Sequence, residues 1–363
     1  MNRGASYRVV GDAAVPQSRR LFPRVLEIGP GKLDSVGAIL QRAGLPLDRV
    51  LLVSGGGRTR PFSQRVSAGL TALGAEVHPR LEPFATRAAG ERLAAEAAEL
   101  TVDLIIAVGG GRVIDVAKTA ALAWEVDVVT VPTSVAHDGI SSPVASLTDD
   151  LGIRASLPAA MPAAVIVDID VVQSAPFSTL RAGVGDLVSN LSAVEDWRLA
   201  DARGRDAYDA YPALMADGAA RLALRLDGAL RPGAVELLAR GLILSGLAML
   251  AAGTSRPCSG AEHLISHSLD QLLGDGARLH GEQVALGTLI ATAARGQSPA
   301  EYRATFRRCG LATHPAELGL SMDLMVEAVM KAPATRPNRY TILDEIDLRR
   351  PAVTDLLVEA FSS

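Results

Sequence analysis

The chain has 363 residues, of which 48% are apolar and 21% charged, so its composition is that of a globular protein and excludes an intrinsically disordered one. Its length exceeds what one hydrophobic core usually serves, and we therefore expect two domains. The formal net charge of −4 and the 4% aromatic content argue against nucleic acid or an anionic membrane as a partner.

Cysteine content and the N-terminus predict the compartment. The two cysteines, Cys258 and Cys309, are too few for a disulfide framework, and no charged segment followed by an apolar one opens the chain. We therefore expect a cytoplasmic protein. The longest apolar stretch lies between residues 240 and 256. It is short for a membrane span and rich in Gly and Ser, which favours a buried helix.

Strand-like and helix-like segments alternate through the first half. The run RVLLVSG at 49–55 is typical of a strand that is buried on both faces of a parallel sheet. The segments that follow it are predicted, in chain order, to be a helix, a strand, a helix, a strand, a helix and a strand, at 61–74, 75–81, 86–100, 103–111, 112–124 and 126–134. This repetition predicts an open, doubly wound parallel α/β sheet.

The pattern changes after a hairpin and one last strand. Two short alternating runs around Asp149, Asp150 and Gly152 predict a β-hairpin inserted in the sheet domain. The apolar run 164–172 suggests a final strand, and SAP at 174–176 acts as a break. Long Ala- and Leu-rich segments follow and predict an all-helical second half. The predicted domains are residues 1–175 (α/β) and 176–363 (helical).

A glycine triplet, Gly109, Gly110 and Gly111, stands between a predicted strand and a predicted helix. Glycines there let a phosphate approach the backbone and the helix N-terminal amides. The spacing is not G-x-G-x-x-G, and such a turn is also structurally useful without any ligand. A second glycine cluster, at 54–57, ends an earlier predicted strand and is followed by Arg58. Arg58 is either a partner for a 2′-phosphate or a solvated loop arginine.

Three of the six histidines fall between His263 and His280. His263 and His267 are four residues apart and share one face of a predicted helix. Imidazoles from adjacent helices can converge on a cation, and Asp186 in GVGDLVSN offers a carboxylate. One Asp and two His leave a coordination position open for substrate. The alternative interpretation makes Asp186 a helix N-cap.

The segment PTSVAHDGISSP at 132–143 follows a strand on the carboxyl edge of the predicted sheet, where open α/β sheets collect ligands. Polar side chains from it could bond a nucleotide or a polyol: Thr133, His137, Asp138, Ser141 and Ser142. A turn rich in Ser and Gly is the alternative that composition leaves open.

Four segments together resemble one family. They are VGGGRVIDVAK, VPTSVAHDGISSP, GVGDLVSNLSAVEDWRLA, and SRPCSGAEHLISHSLD with the downstream LHGEQVALGT. The chain resembles sn-glycerol-1-phosphate dehydrogenases, within the superfamily of iron-containing alcohol dehydrogenases, glycerol dehydrogenases and dehydroquinate synthases. The resemblance implies a dehydroquinate synthase-like fold, with an N-terminal nicotinamide-binding domain, a helical C-terminal domain and an active-site cleft between them.

The resemblance also implies roles for individual residues. Asp186, His263 and His280 match the ligands of Zn²⁺, for which Fe²⁺ or Ni²⁺ could substitute, and Asp138 and His267 match substrate contacts. The residues that match NAD(H) or NADP(H) contacts are Gly110, Gly111, Arg112, Val113, Ile114, Thr133 and Ser142. Two positions depart from the family pattern: Ala136 replaces a usual Ser, and Cys258 replaces a usual Ala and leaves substrate identity open.

The implied reaction is the reversible reduction of dihydroxyacetone phosphate to sn-glycerol 1-phosphate, a small-molecule reaction of an expected homo-oligomer. The proton would come from metal-bound water or through a relay that involves His267 or Asp138; His267 is preferred, with a neutral orienting role as its alternative. Arg256 is a candidate for the substrate phosphate. Lys118 is expected on a helix surface. The other functions considered are a sugar-phosphate cyclase of the dehydroquinate or inosose synthase type, a glycerol dehydrogenase and a non-catalytic nucleotide-binding scaffold.

Overall fold

A computed structural model describes residues 22–149, 152 and 154–362. The eight strands of the described chain all lie in its first half: β1 Val25–Gly29, β2 Arg49–Ser54, β3 Glu76–Leu81, β4 Leu104–Gly109, β5 Asp127–Pro132, β6 Val144–Thr148, β7 Arg154–Pro158 and β8 Ala164–Asp168. Six of them form one parallel sheet in the order β1-β8-β5-β4-β2-β3. The other two pair with each other.

Helices cover both faces of this sheet: α1 Val36–Arg42, α2 Arg60–Thr71, α3 Arg87–Glu99 and α4 Gly111–Trp124. Neighbouring strand residues point to opposite faces, so Val50 and Leu104 pack with α1 and α2, whereas Leu51 and Ile105 pack with α3 and α4. All six residues of β4 are buried. The structure confirms the predicted doubly wound α/β sheet.

Two differences from the predicted elements have local causes. The edge strand β1 was not predicted, and the predicted strand at 164–172 ends at Asp168. The carboxylate of Asp168 accepts a hydrogen bond from the Asp170 amide at 3.0 Å and caps a short helix, α5 Ile169–Gln173. Apolar content alone did not separate this buried helical turn from a strand.

The predicted hairpin is confirmed as the antiparallel pair of β6 and β7, with Val144 opposite Pro158. It forms its own two-stranded sheet, separate from the parallel one. Asp149 and Gly152 lie in its connection, and Asp150 lies outside the described residues.

The described second half is helical. It contains α6 Phe177–Ala202, α7 Ala210–Ala223, α8 Pro232–Ala252, α9 Ala261–Leu273, α10 His280–Ala294, α11 Ala300–Arg308, α12 Met322–Thr335 and α13 Arg350–Phe361. Helix α6 contacts α7, α8, α9 and α10. The core on the α3 and α4 face of the sheet continues into this half through Leu187, Leu242 and Leu289. The predicted helical region is confirmed, and the division into two domains at residue 175 stays a prediction.

The apolar stretch between residues 240 and 256 lies mostly in α8. This helix has 21 residues and begins before the stretch, at Pro232, so by length and composition alone α8 could cross a membrane although the stretch by itself is short. Its most apolar window is 61% buried inside the protein. Helix α8 packs against α6 and α7 as a core helix does.

Candidate active site

The structure brings together Asp186, His263 and His280, from the middle of α6, the first turn of α9 and the first residue of α10. The Asp186 Oδ1 atom lies 4.0 Å from His263 Nε2 and 3.6 Å from His280 Nε2. The potential ligand atoms of the three residues all lie within 4.8 Å of one another. Helix α6 begins at Phe177, so the alternative of Asp186 as an N-cap was wrong.

Glycines let the two helices that carry Asp186 and His280 touch through their backbones. A Cβ atom on Gly185 would lie 2.1 Å from the Gly281 carbonyl oxygen, and one on Gly281 would lie 1.8 Å from the Ala182 carbonyl oxygen. Neither approach is compatible with a larger side chain, since backbone cannot move aside as a side chain can. Each glycine directly adjoins one of the two ligand residues, and the close helix contact therefore sets the Asp186–His280 distance.

Neighbouring polar groups orient both imidazoles. The Nδ1 atom of His263 lies 3.0 Å from Glu262 Oε1, and the Nδ1 atom of His280 lies 3.1 Å from Ser266 Oγ. Gln283 donates to the same Ser266 oxygen at 3.0 Å. Both histidines thus turn Nε2 toward Asp186. Outer hydrogen bonds of this kind fix the tautomer and orientation of metal-binding histidines.

The chemistry of these groups fits a divalent cation. Burial raises the pKa of Asp186 well above its usual value, and the nearby charge of Asp138 raises it further. Burial lowers the pKa of His280 well below its usual value, and the charge of His263 adds to this effect. One carboxylate and two imidazoles are ligands that Zn²⁺ and Fe²⁺ accept, and the buried carboxylates gain from a positive charge placed between them.

A hydrogen-bonded chain holds Asp138 beside this cluster. Its amide donates to Asp186 Oδ2 at 2.9 Å, and its own Oδ2 accepts from the Ser245 hydroxyl at 2.9 Å. Asn190 donates to Ser245 at 3.1 Å, and the buried Cys258 sulfur lies 3.1 Å from the same oxygen. Burial raises the pKa of Asp138 and of the Cys258 thiol. Cys258, which departs from the family pattern, therefore contacts Ser245, the residue that holds Asp138.

A cavity of about 130 Å³ joins these groups to the glycine turn. Its wall includes Asp138, Asp186, His263, His267 and His280 together with Arg112 and Ser142. The His267 ring centre lies 6.4 Å from that of His263 and 6.5 Å from that of His280, so this ring flanks the three-residue cluster. Burial lowers the pKa of His267 well below its usual value, and the charge of Arg336 lowers it further.

The glycine triplet connects β4 to α4 as the sequence predicts. Gly110 precedes α4 and Gly111 is its first residue, and a Cβ atom on Gly111 would lie 2.0 Å from His137 Nε2. The His137 Nδ1 atom accepts a hydrogen bond from the Gly139 amide at 3.0 Å. The His137 ring therefore rests directly on the glycine turn, a contact that the sequence did not indicate.

The other residues predicted to contact a nucleotide lie around this turn. Val113 and Ile114 are buried, and their amides donate to the Gly110 carbonyl at 3.1 and 3.2 Å. The amides of Gly111 and Arg112 come earlier in the helix, where amides lack helical partners. The Thr133 amide donates to Gly109 at 3.0 Å, and the Ser142 hydroxyl donates to Val144 at 3.2 Å.

Arg256 does not belong to the cavity wall. Its side chain is buried and donates to Asp206 Oδ2 at 2.6 Å and to the Tyr340 carbonyl at 2.7 Å. Both contacts hold backbone segments of the helical half together, so the hypothesis that Arg256 binds a substrate phosphate was wrong.

Sequence reasoning missed the residues that support the site, although two of them left a signal. Glu262 immediately precedes His263, and Asn190 follows Asp186 by one helical turn on the same face. Ser245 left none, because it lies on α8, far along the chain from Asp138, which it supports. Gln283 follows His280 by three residues on α10, but it acts through Ser266 of α9, a contact that no local pattern shows.

Comparisons with known proteins identify the family of the chain. The family model of the iron-containing alcohol dehydrogenases matches residues 27–176. The chain is 39% identical to a glycerol-1-phosphate dehydrogenase [NAD(P)+] of Thermococcus kodakarensis, over 91% of this chain and 94% of the relative. It is 36% identical to the Methanosarcina barkeri protein of the same name, over 89% of this chain and 90% of the relative.

Solved structures share the fold. A probable glycerol dehydrogenase from Sinorhizobium meliloti 1021 is 26% identical, with a TM-score of 0.76 over 94% of this chain and 97% of that one. The glycerol dehydrogenase of Schizosaccharomyces pombe is 18% identical and has a TM-score of 0.78 over 97% of this chain and 92% of that one, a likeness of fold alone. On this evidence the chain belongs to the glycerol-1-phosphate dehydrogenase family, within the iron-containing alcohol dehydrogenases.

Proposed function

We propose that the protein is a metal-dependent oxidoreductase that uses NAD(H) or NADP(H) to interconvert dihydroxyacetone phosphate and sn-glycerol 1-phosphate. One observation carries the proposal: a single cavity contains the cluster of Asp186, His263 and His280 and also reaches Arg112 at the glycine turn. The activity named for relatives with up to 39% identity supports the same reaction.

The glycine turn suits the pyrophosphate of the nucleotide. The amides of Gly111 and Arg112 stand at the start of α4, where the helix dipole favours negative charge. Thr133 and Ser142 belong to the loop that follows the neighbouring strand β5. Their side chains would face the rest of the cofactor. The reduced nicotinamide, when bound, supplies the hydride.

Asp186, His263 and His280 would hold a divalent cation, which supplies a positive charge that polarises a ketone oxygen when bound. Glu262 and Ser266 keep the two imidazoles turned toward that position. Asp138, fixed by Ser245, lines the cavity beside them and contacts a substrate hydroxyl. These residues bind and orient the ketone relative to the nicotinamide.

His267 acts in its neutral form. Because burial and Arg336 lower its pKa well below the usual value, the imidazole carries no charge near neutral pH. This favours the alternative in which the ring orients substrate hydroxyls as a hydrogen-bond donor over one in which an imidazolium delivers the proton.

The cyclase is the weaker candidate. No lysine of the described chain lines the cavity, and Lys118 is buried and donates to the Gly139 and Val144 carbonyls. Asp186 also stands where we expect such a cyclase to have Glu. A glycerol dehydrogenase remains the second candidate, because a protein of that name shares the fold at 26% identity.

The test follows nicotinamide absorbance with dihydroxyacetone phosphate, dihydroxyacetone and glycerol, with and without added zinc. We expect turnover of the phosphate that depends on metal and on either NADH or NADPH. Turnover of glycerol without any of the phosphate would move the assignment to glycerol dehydrogenase. No turnover of any of them would reject the proposal.

His280→Ala tests the assigned metal ligand. We expect loss of bound metal and of turnover with nucleotide affinity largely retained, because the ring nitrogens of His280 face Asp186 and Ser266 and not the amides of the glycine turn. Elemental analysis, activity and nucleotide titration provide the measurements. His78→Ala removes a histidine of the edge strand β3 and is the matched control. Unchanged turnover in His280→Ala would contradict the assignment.

The proposed reaction has a small-molecule substrate. A cytoplasmic location and a homo-oligomer stay predictions. Size-exclusion chromatography with light scattering tests the second of them, and a monomer at micromolar concentration would contradict it.

A further inference from the structure

Three arginines of the described chain line the cavity, and each has different surroundings. Arg112 stands at the glycine turn, where the nucleotide is proposed to bind. Arg154 and Asp270 both line the wall, and burial raises the pKa of the Asp270 carboxyl while the charge of Arg154 lowers it. A neighbouring carboxylate disfavours a second anion. Arg336, which follows the last turn of α12, donates to two serine hydroxyl groups.

Arg336 adjoins two serines that also line the cavity. Its Nη1 atom donates to Ser255 Oγ at 3.4 Å and to Ser259 Oγ at 3.3 Å. The buried Arg339 donates to Ser255 Oγ at 2.9 Å and to the Ser259 carbonyl at 2.7 Å. The two serines flank the short 3₁₀ turn Arg256–Cys258. The buried side chain of Arg256 holds this turn by donating to Asp206. The position of both hydroxyls is thus fixed.

The direction of these hydrogen bonds matters. An arginine has only donors, so each serine oxygen accepts and its own hydroxyl proton stays available for an acceptor in the cavity. A guanidinium and two such hydroxyl protons form a set of donors that suits a phosphate monoester. Neutral polyols do not need the positive charge.

The location of Arg336 suits a substrate that also reaches the metal cluster. Arg336, Ser255 and Ser259 line the same cavity as Asp186, His263 and His280. In a three-carbon ketose phosphate only one methylene and one ester oxygen separate the ketone carbon from phosphorus. One small molecule can therefore engage both ends.

We propose that Arg336, with the hydroxyls of Ser255 and Ser259, forms the subsite for the substrate's phosphate group and selects phosphorylated over unphosphorylated ketoses. This inference rests on the proposed function, because it assumes that the ketone lies at Asp186, His263 and His280.

The experiment compares the metal-loaded wild type with Arg336→Gln and Arg336→Lys at saturating NADH or NADPH. In Arg336→Gln we expect KM for dihydroxyacetone phosphate to rise about 10- to 100-fold, the value of a hydrogen bond to a charged group, with metal content and nucleotide KM unchanged. Arg336→Lys keeps the charge without the fork and should fall between the two. Turnover of unphosphorylated dihydroxyacetone should stay the same. Arg350→Gln, on the exposed face of α13, is the control.

A second measurement needs no turnover: the rise in Tm that inorganic phosphate causes in the nucleotide-bound protein, in wild type and in Arg336→Gln. If the wild type reduces dihydroxyacetone phosphate and Arg336→Gln keeps its KM, the subsite is wrong and the proposed function stands. If the wild type does not reduce it but phosphate raises Tm only when Arg336 is present, the subsite stands and the proposed substrate is wrong. If the wild type neither reduces it nor responds to phosphate, both are wrong.

Discussion

The residue that departs furthest from its expected place is Lys118. Its side chain is fully buried, and its ammonium group donates to the carbonyls of Gly139, Ser142 and Val144 and lies 3.1 Å from Asp115 Oδ1. The expectation of a helix-surface lysine was wrong because the loop after β5 folds back over α4. Helical spacing along α4 cannot show that return.

Replacing Lys118 by Met should therefore destabilise the protein strongly. Removing one partner of a buried ion pair leaves the other charge uncompensated, and we expect a loss of about 3–5 kcal/mol in the free energy of unfolding, measured by urea denaturation. The double variant Lys118→Met/Asp115→Asn should recover part of that loss. Lys331→Met, at an exposed helix pair, should change little. A similar loss of stability in Lys118→Met and in the control Lys331→Met would contradict this account.

Glu345 is one surface source of the pH dependence of stability. The guanidinium of Arg203 and the hydroxyl of Tyr340 lower the pKa of Glu345 to about 2. A carboxyl whose pKa is lower in the folded chain stabilises the fold above its unfolded pKa of about 4.3 and loses that contribution as the pH falls toward the folded value.

Glu345→Gln should accordingly lower Tm at neutral pH, and the difference from wild type should shrink steadily as the pH falls below about 4.3. Thermal melts of wild type and variant between about pH 3 and 7 would measure this difference in Tm. Arg203→Gln removes the other partner and should show the same trend. A difference that is constant over this range would argue against the pairing.

At the scale of elements, the close contact of α6 with α10 decides the metal geometry. Gly281→Ala would place a Cβ atom 1.8 Å from the Ala182 carbonyl oxygen, so the helices must separate. We expect the free energy of unfolding, measured by denaturation, to fall by about 1–3 kcal/mol or more. We also expect weaker zinc binding, measured by metal titration.

Gly218→Ala, in the interior of α7 with open space around it, is the matched control. It should stabilise the protein by about 0.5–1 kcal/mol, because alanine is the better helix former and meets nothing there. Gly281→Ala with normal stability and normal zinc affinity would show that the backbone contact does not set the ligand distance.

The sequence predicts elements where periodicity and caps are local. Strand β4, helix α4 and the hairpin of β6 and β7 lie where apolar runs and glycines place them. Helix α5 was missed because the Asp168 cap, a single side chain, turns an apolar run into a helix. His263 and His267 share a face as predicted, yet which of them lies nearer Asp186 depends on how α9 packs against α6.

At the scale of the whole molecule, the two halves share one core. The buried cluster that contains Leu51 and Ile105 of the sheet also contains Leu187 and Leu242 of the helical half. We therefore expect the sheet and the helices to unfold in one cooperative transition despite a length that suggests two domains. Calorimetry checks this, with a ratio of calorimetric to van't Hoff enthalpy near 1 expected. Two resolved transitions would show that the halves unfold separately.

The general plan of the cleft was predictable, and its fine structure was not. Residues from segments far apart in the chain were expected to meet, and Asp186, His263, His280 and Asp138 do so. The position of Arg336 beside Ser255 and Ser259 depends on how α12 packs against the helical half. Such packing is long-range, so no local pattern in the sequence records it.

The bond from the Asp138 amide to Asp186 spans the two halves, and beside it a Cβ atom on Gly183 would lie 2.1 Å from the Val135 carbonyl oxygen. This fit constrains any chimaera between relatives. A foreign N-terminal segment could be grafted onto this helical region only if its loop passed equally close to Gly183. To exchange nucleotide preference in this way, one would have to transplant the loop at 132–143 together with the glycine on which it packs, here Gly183.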